Sequence, residues 1–244
     1  MGNLDYQRFR RRKRPHLNPS DGTLFVTFRL AGSIPKDTVK EFKANLDWHR
    51  AQLQRVQNLN TNRESPEFSK WLRKVEALHR EWFRKTEEVL HKAQSGPTWL
   101  KNDEVATKVV ENLHRLDGEA YRLDAYSVMS NHVHSVFRPF LSEVELASLL
   151  DQDEDLLLET NKPGLSKIMF RLKGRSAREC NLALNRKGSF WEHESFDHVI
   201  RPGNFDKTIR YVLNNPVKAG LVETWEDWKW SYCRAELLEI WRKK

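Results

Sequence analysis

The sequence lacks several features that would place it in common functional classes. It has no run of eighteen apolar residues, so no transmembrane helix is predicted. Residues 1–14 lack the apolar stretch of a secretory signal, and no glycine-rich loop of the P-loop kind occurs. The only two cysteines, Cys180 and Cys233, have no metal-type spacing. This pattern predicts reduced thiols in a cytoplasmic protein rather than a disulfide-stabilised one.

The composition is that of a folded protein. Hydrophobic residues make up 39% and aromatic residues 11% of the 244 residues, and nine tryptophans are present. A chain of this length can build one good-sized domain, or one domain with a large insertion. The composition therefore argues against intrinsic disorder.

Positive charge is in excess and is clustered. Lys and Arg number 42 against 34 Asp and Glu, for a net charge of +8. One cluster taken alone could be a solvated basic tail, but several clusters together favour a polyanionic partner such as nucleic acid. The clusters are Arg8, Arg10, Arg11, Arg12, Lys13 and Arg14; Arg171, Lys173, Arg175 and Arg178; and Arg186 with Lys187.

The order of predicted elements indicates an α+β fold. Thr23–Leu30, Tyr121–Met129 and His132–Phe137 are predicted strands, the last two joined by a turn at Ser130–Asn131. Residues 37–95 have the three-four apolar spacing of two long helices, predicted to form an inserted helical hairpin. The other predicted elements are helices that begin near Asp103, Ser142, Ser166 and Asn204, an acidic loop at Asp151–Asp155, and one or two short strands in Ser189–Ile200. Adjacent antiparallel strands predict a central antiparallel sheet with helices packed on its faces.

Two histidines in the third predicted strand are candidate metal ligands. Side chains alternate across a strand, so His132 and His134 face the same way while Val133 faces the core. Two imidazoles at this spacing can form two arms of a metal site. The pair alone is a weak signal, because many such histidines are core or surface residues and a metal needs a third donor.

The helix that begins after Asn204 carries a second candidate pair. Tyr211 lies off the apolar stripe of this helix, and Asn215 follows it by four residues on the same side. Pro216 places Asn215 at the helix end. The spacing is compatible with a nucleophile beside a metal ligand, but taken alone it favours a packing tyrosine beside a helix-capping asparagine.

Five stretches, taken in order, resemble a known family. The chain is similar to the IS200-like transposase superfamily, and in particular to its branch associated with repetitive extragenic palindromes. The resemblance covers most of the chain except the helical hairpin and the acidic loop. Its motifs are RPH at 14–16 with LFVTFR at 24–29, VMSNHVH at 128–134, FWEHESFDHVIR at 190–201, IRYVLNNPVKAGLV at 209–222 and WKWSY at 228–232. Ser130 departs from the family, which usually has proline there, and the hairpin is a second departure.

The resemblance implies a fold, a site and a reaction. It implies one bacterial HUH-type catalytic domain over residues 1–244 with a ferredoxin-like sheet, interrupted by the insertion at 37–95. It assigns His132, His134 and Asn215 to a divalent metal, Mg²⁺ or Mn²⁺, and Tyr211 to nucleophilic attack. The implied activity is cleavage and rejoining of single-stranded DNA near palindromic hairpins through a 5′-phosphotyrosine, by a monomer or a homodimer.

The DNA contacts and the general base are less specific expectations. The resemblance assigns part of the DNA recognition to the basic segment Arg8–Arg14, and Lys173, Arg175, Arg201 and Arg210 are candidate phosphate contacts, with Arg171 and Arg178 beside them. A free tyrosine has a pKa of about 10, so a base must help to activate Tyr211 at neutral pH. His193, His198 and Lys218 are the candidates.

Two alternatives remain open at the level of sequence. A domesticated relative could bind structured DNA or RNA without cutting it. A zinc hydrolase could use His132 and His134, with a third ligand such as Asp124 or Asp197 brought close by the fold.

Overall fold

The computed structural model describes residues 22–41, 66–140, 164–201 and 203–242, together with positions 44, 47 and 51. The predicted DNA-binding segment Arg8–Arg14, the predicted helix at Ser142–Leu150 and the acidic loop lie outside these residues. The chain divides into two compact units. We call residues 1–31 with 98–244 the sheet unit, and residues 32–97 the helical unit.

The sheet unit is built on one five-stranded antiparallel sheet with the strand order β4-β1-β3-β2-β5. The pairing confirms the predicted α+β class. It also confirms the three strands predicted between Thr23 and Phe137. The strands are β1 (Leu24–Arg29), β2 (Tyr121–Val128), β3 (His132–Pro139), β4 (Phe196–Val199) and β5 (Ser231–Cys233).

Two long helices cover one face of this sheet. They pack on alternate strand residues, among them Val26, Phe28 and Val133, to form the main hydrophobic core. Each helix buries one stripe, which in the second includes Ile168 and Leu172. The described helices of the sheet unit are α2 (Asp103–Leu116), α3 (Gly164–Ala183), α4 (Phe205–Leu213), α5 (Asn215–Lys218) and α6 (Ala235–Arg242), with 3-10 helices at Trp99–Lys101 and Trp225–Asp227.

The other face of the sheet carries the residues that alternate with the core. Helix α4 packs on this face, over β2, β3 and β5, and buries Ile209, Val212 and Leu213. Cross-strand partners share a face, so Thr27 of β1 lies on it with its partner His134, and Arg29 with its partner His132. We call this side the α4 face.

The helical unit contains α1, which spans Pro66–Lys92, and helical backbone over residues 36–41. Within α1, His91 Nε2 lies 3.6 Å from Glu87 Oε2, one turn earlier. That residues 37–95 form an insertion within a single domain stays a prediction. None of the described helices combines the length and apolar character needed to cross a membrane.

The sequence predicts Asp103 and Asn204 as the capping residues of two helices, and the structure differs at both caps. Asn102, not Asp103, caps α2, because its Oδ1 accepts hydrogen bonds from the backbone amides of Glu104 and Val105. Asp103 instead lies in the first turn, where its negative charge interacts favourably with the positive end of the helix dipole. Asn204 occupies the cap position of α4, but its side chain makes no capping hydrogen bond because its backbone is already helical.

Candidate active site

Strand β3 holds the two histidines at the centre of the sheet. His132 and His134 are both fully buried, and β1 and β2 flank β3 on either side. Because the strand alternates, Val133 packs into the core on the opposite face. The sequence therefore positions both imidazoles on the α4 face, as predicted.

The two imidazoles converge through the same ring atom. Nε2 of His132 lies 3.0 Å from Nε2 of His134. On the far side of each ring, His132 Nδ1 lies 2.7 Å from Asn131 Oδ1, and His134 Nδ1 lies 2.7 Å from Thr27 Oγ1. An amide oxygen only accepts hydrogen bonds, so this contact is a hydrogen bond when His132 carries a proton on Nδ1. A neutral ring in that tautomer presents its Nε2 lone pair.

This arrangement fits a shared divalent cation. Two ligands in adjacent positions of an octahedral ion at about 2.1 Å are about 3 Å apart, which is the separation of the two Nε2 atoms. Metal-binding histidines commonly hydrogen-bond a fixed partner through the other ring nitrogen, as Asn131 and Thr27 do here. The pair can therefore supply two of the ligands of a metal ion.

Tyr211 lies beside this pair. It belongs to α4, is half-buried, and its ring centroid lies 5.8 Å from that of His134 at a steep interplanar angle of 68°. Phe25 contacts the same ring edge-on, with centroids 5.8 Å apart. The ammonium of Lys218 lies over the Tyr211 ring, 4.5 Å from its centroid. The fold thus brings together a tyrosine and two histidines that are 77 or more positions apart in sequence.

Asn215 is fully buried at the start of α5. Its Nδ2 donates hydrogen bonds to the carbonyls of Tyr211, at 2.7 Å, and Val212, at 3.4 Å. These contacts fix the amide relative to the helix that carries Tyr211. Its Oδ1 is the atom suited to a hard cation, so the contacts are compatible with the predicted ligand role.

The three candidate bases are in different environments. His193 is 93% exposed in its side chain and near Glu194, whereas His198 packs its ring 5.1 Å from that of Phe25. Although solvent reaches part of the ring, these apolar surroundings lower the pKa of His198, and the positive charge of Arg201 acts in the same direction. Lys218 is the candidate with a direct contact to the Tyr211 ring.

The predicted DNA contacts also differ in their surroundings. Lys173 donates hydrogen bonds to the carbonyls of Glu192 and His193 and to Ser195 Oγ. Burial lowers the pKa of Lys173 to about 8. Through these hydrogen bonds Lys173 stabilises the loop before β4. Arg175 is exposed and pairs with Glu179, while Arg201 and Arg210 are exposed. These three are better placed than Lys173 to meet a phosphate.

Neither aspartate considered for a zinc hydrolase joins the histidines. Asp197 pairs with Val26, whose side chain belongs to the core face, so strand alternation turns it away from the α4 face. Asp124 is buried at the irregularity in β2 and forms ion pairs with Arg122 and Arg234. Burial raises the pKa of Asp124, and both arginines oppose the shift.

The sequence predicts only a turn at Asn131 and only a strand at Thr27, and not the contacts by which these two residues orient the histidines. The Thr27–His134 contact joins positions 107 apart, and only the β1–β3 register creates it. Asn131 could have been predicted as a partner, since metal-binding histidines commonly donate their other ring N–H to a nearby oxygen acceptor.

No family model matches the chain, and no curated protein matches it. Among solved structures, the chain is similar to a REP-associated tyrosine transposase bound to a REP hairpin. The likeness has a TM-score of 0.37 and 14% sequence identity, and it covers 93% of this chain and 81% of the other.

Proposed function

We propose that this protein is a metal-dependent single-strand DNA transesterase of the HUH transposase type. In this proposal it cleaves and rejoins DNA near hairpins through a 5′-phosphotyrosine on Tyr211. The observation that carries the proposal is the position of the Tyr211 ring, 5.8 Å from His134, whose Nε2 converges with that of His132. A buried histidine pair beside a half-buried tyrosine supplies a cation site and a nucleophile in one place.

The proposed reaction exchanges one phosphodiester bond for another. Tyr211 Oη forms a bond to phosphorus, and the bond from phosphorus to the 3′ oxygen breaks. The phenol proton leaves Tyr211, and the departing 3′ oxygen takes up a proton to become a hydroxyl. The reverse attack by a 3′ hydroxyl restores the strand, so no nucleotide cofactor is consumed. The reaction therefore needs no nucleotide-binding site, which agrees with the lack of a P-loop motif in the sequence.

His132, His134 and Asn215 are the proposed metal ligands. A bound Mg²⁺ or Mn²⁺ would polarise a non-bridging oxygen of the scissile phosphate. Asn131 and Thr27 hold the imidazoles with Nε2 directed into the site. The hydrogen bonds of Asn215 to the end of α4 link the ligand set to the helix that carries the nucleophile.

Lys218 and Phe25 define the position of the nucleophilic ring. Phe25 contacts its edge, and the Lys218 ammonium lies over its face. Fixing the ring in this way reduces the entropy lost when the phosphate is attacked. The Lys218 cation, 4.5 Å from the ring centroid, also favours negative charge that develops on the phenol oxygen.

The direct test is a denaturing gel for a covalent protein–DNA adduct. The protein is incubated with labelled hairpin DNA that has single-stranded flanks, with Mn²⁺ or Mg²⁺ and with EDTA. An adduct should form only with metal and should vanish in Tyr211→Phe and His132→Ala. Tyr232→Phe is the matched control, since this half-buried tyrosine of β5 stacks on Tyr126 instead.

Each outcome separates the proposal from non-catalytic binding. The transesterase would be supported if the adduct is lost in Tyr211→Phe but retained in Tyr232→Phe. Mass spectrometry should then assign the DNA to the peptide that contains Tyr211. Tight DNA binding without an adduct across a panel of flanked hairpins would contradict it, and would favour a non-catalytic binder of structured nucleic acid.

A further inference from the structure

Helix α3 presents an outer ridge on the side that faces away from the sheet. Phe170, Gly174, Arg178 and Leu182 follow each other at four-residue intervals and so lie along one line. Phe170 is 81% exposed and Leu182 is 70% exposed, although the same helix buries Ile168 and Leu172 fully in the core. Among the described residues of the sheet unit, little covers either of these two apolar side chains.

Packing against the described residues does not require a glycine at position 174. It lies inside a 20-residue helix, where glycine is less favourable than alanine. A Cβ at Gly174 would meet no atom within 4 Å, and the helical backbone there needs no left-handed angle. The fold alone would therefore be more stable with alanine. What glycine provides is a gap in the ridge, between Phe170 and Arg178, where another molecule can approach the helix backbone.

The ridge is surrounded by positive charge. Helix α3 contains a single acidic residue, Glu179, against five basic ones. Arg171 pairs with Glu119 and Arg175 pairs with Glu179, but a guanidinium has five N–H donors and can serve a second acceptor. The exposed cations of the helix are Lys167, Arg171, Arg175 and Arg178. This charge complements a polyanion rather than the apolar face of another protein.

We propose that the Phe170–Gly174–Arg178 ridge is a second, non-catalytic binding site for single-stranded nucleic acid. An unpaired base stacks on Phe170, the sugar–phosphate backbone crosses the gap at Gly174, and Arg178 contacts a phosphate. Exposed aromatic rings with basic neighbours bind single strands in this way. The inference rests on the proposed function only in taking DNA as the partner.

The ridge lies away from the proposed catalytic site. The buried side of α3 packs in the same core as Val133, whereas His132 and His134 lie on the α4 face. The ridge is therefore on the opposite side of the sheet from the histidine pair. It can hold an unpaired segment of the substrate without occupying the catalytic site.

Fluorescence anisotropy with a fluorescein-labelled hairpin oligonucleotide that has unpaired flanks tests the proposal. Phe170→Ala should weaken binding roughly five- to hundredfold. Phe170→Tyr should bind like the parent, whereas Phe170→Leu should not, because it keeps apolar area but cannot stack. Arg178→Gln should lower the slope of log affinity against log salt by about 0.7. Lys101→Gln, which removes an exposed cation outside the ridge, should leave it unchanged.

Gly174→Ala is the most informative variant, because it should increase thermal stability but decrease DNA affinity. The variant should raise the Tm by about 2 to 4 °C and yet weaken binding. A raised Tm with unchanged affinity would overturn the proposal. Binding by Phe170→Leu as tight as that of the parent would also overturn it. A third contrary result would be variants that lose self-association in light scattering but keep their DNA affinity, because the ridge would then be an interface between copies of the chain.

The covalent-adduct assay, run at saturating DNA on the same variants, separates the two proposals. If the parent forms no adduct but Phe170→Ala weakens binding, the transesterase fails and the ridge is supported. If all variants form the adduct and none loses affinity, the ridge fails and the transesterase is supported.

Discussion

The hydroxyl of Thr27 lies 2.7 Å from Nδ1 of His134, on the side of the ring away from His132. Thr27→Val keeps the branched shape that suits a strand but removes this oxygen. We expect the affinity for Mn²⁺ to fall about 10- to 100-fold, because partners of this kind set the ring orientation of metal-binding histidines. Isothermal titration with Mn²⁺ measures the change without depending on DNA cleavage.

Two variants control for the loss of a threonine. Thr27→Ser keeps the hydroxyl and should retain most of the affinity. Thr23→Val removes a hydroxyl whose partner is Arg138, and should bind Mn²⁺ like the parent. If Thr27→Val bound Mn²⁺ as tightly as the parent, the orienting role would be wrong.

Much of the fold was predictable because it depends on local patterns. Alternation placed β3 and put both histidines of this strand on one face, and apolar periodicity placed α2 and α3. The contact between Thr27 and His134 was not predictable, since the β1–β3 register decides it over 107 positions. The role of Lys173 was hidden for the same reason. Its sequence neighbours are basic, but its hydrogen-bond partners come from the loop before β4.

Replacement of Lys173 should affect stability more than DNA binding. Lys173→Met leaves the carbonyls of Glu192 and His193 without this donor, at distances of 2.6 and 2.9 Å in the parent. We expect a loss of about 1 to 3 kcal/mol in the free energy of unfolding. Arg201→Gln, at an exposed position, should leave stability unchanged and lower the salt slope of DNA binding by about 0.7. Urea unfolding and salt-dependent anisotropy measure the two effects, and the reverse pattern would contradict this assignment.

The two buried thiols should make the protein less stable at alkaline pH. Burial raises the pKa of both Cys180 and Cys233 to about 12, from a usual value of 9.0. A folded-state pKa above the unfolded one stabilises the fold below pH 9, and this contribution is lost as the pH rises from 9 towards 12. Each thiol contributes a limiting slope of about 1.4 kcal/mol per pH unit.

The double variant Cys180→Ala/Cys233→Ala isolates this effect. Its unfolding free energy, measured in urea between pH 8 and 10.5, should decline less steeply than that of the parent. The comparison removes contributions from other groups such as Lys173, which both proteins share. Identical pH profiles would show that the thiols do not titrate differently in the folded and unfolded states.

Two glycines of the helical unit form a matched pair for backbone strain. Gly32 and Gly96 both have φ +77, a left-handed angle that costs an alanine about 1 to 2 kcal/mol. At Gly32 a Cβ would meet nothing within 4 Å, whereas at Gly96 it would lie 2.8 Å from Ser33 Cα and closer still to the carbonyl oxygen of Gly32. Both obstructing atoms belong to the backbone and cannot rotate away.

We therefore expect Gly32→Ala to destabilise the protein by about 1 to 2 kcal/mol and Gly96→Ala by about 3 kcal/mol or more, since overpacking adds to the strain. Differential scanning calorimetry of the full chain compares the two at equal concentration. The difference between the variants measures the close approach alone, because the angle is the same in both. Equal Tm values would show that residues 32 and 33 can move away from position 96 with little loss of stability. The close approach of these segments would then not stabilise this end of the helical unit.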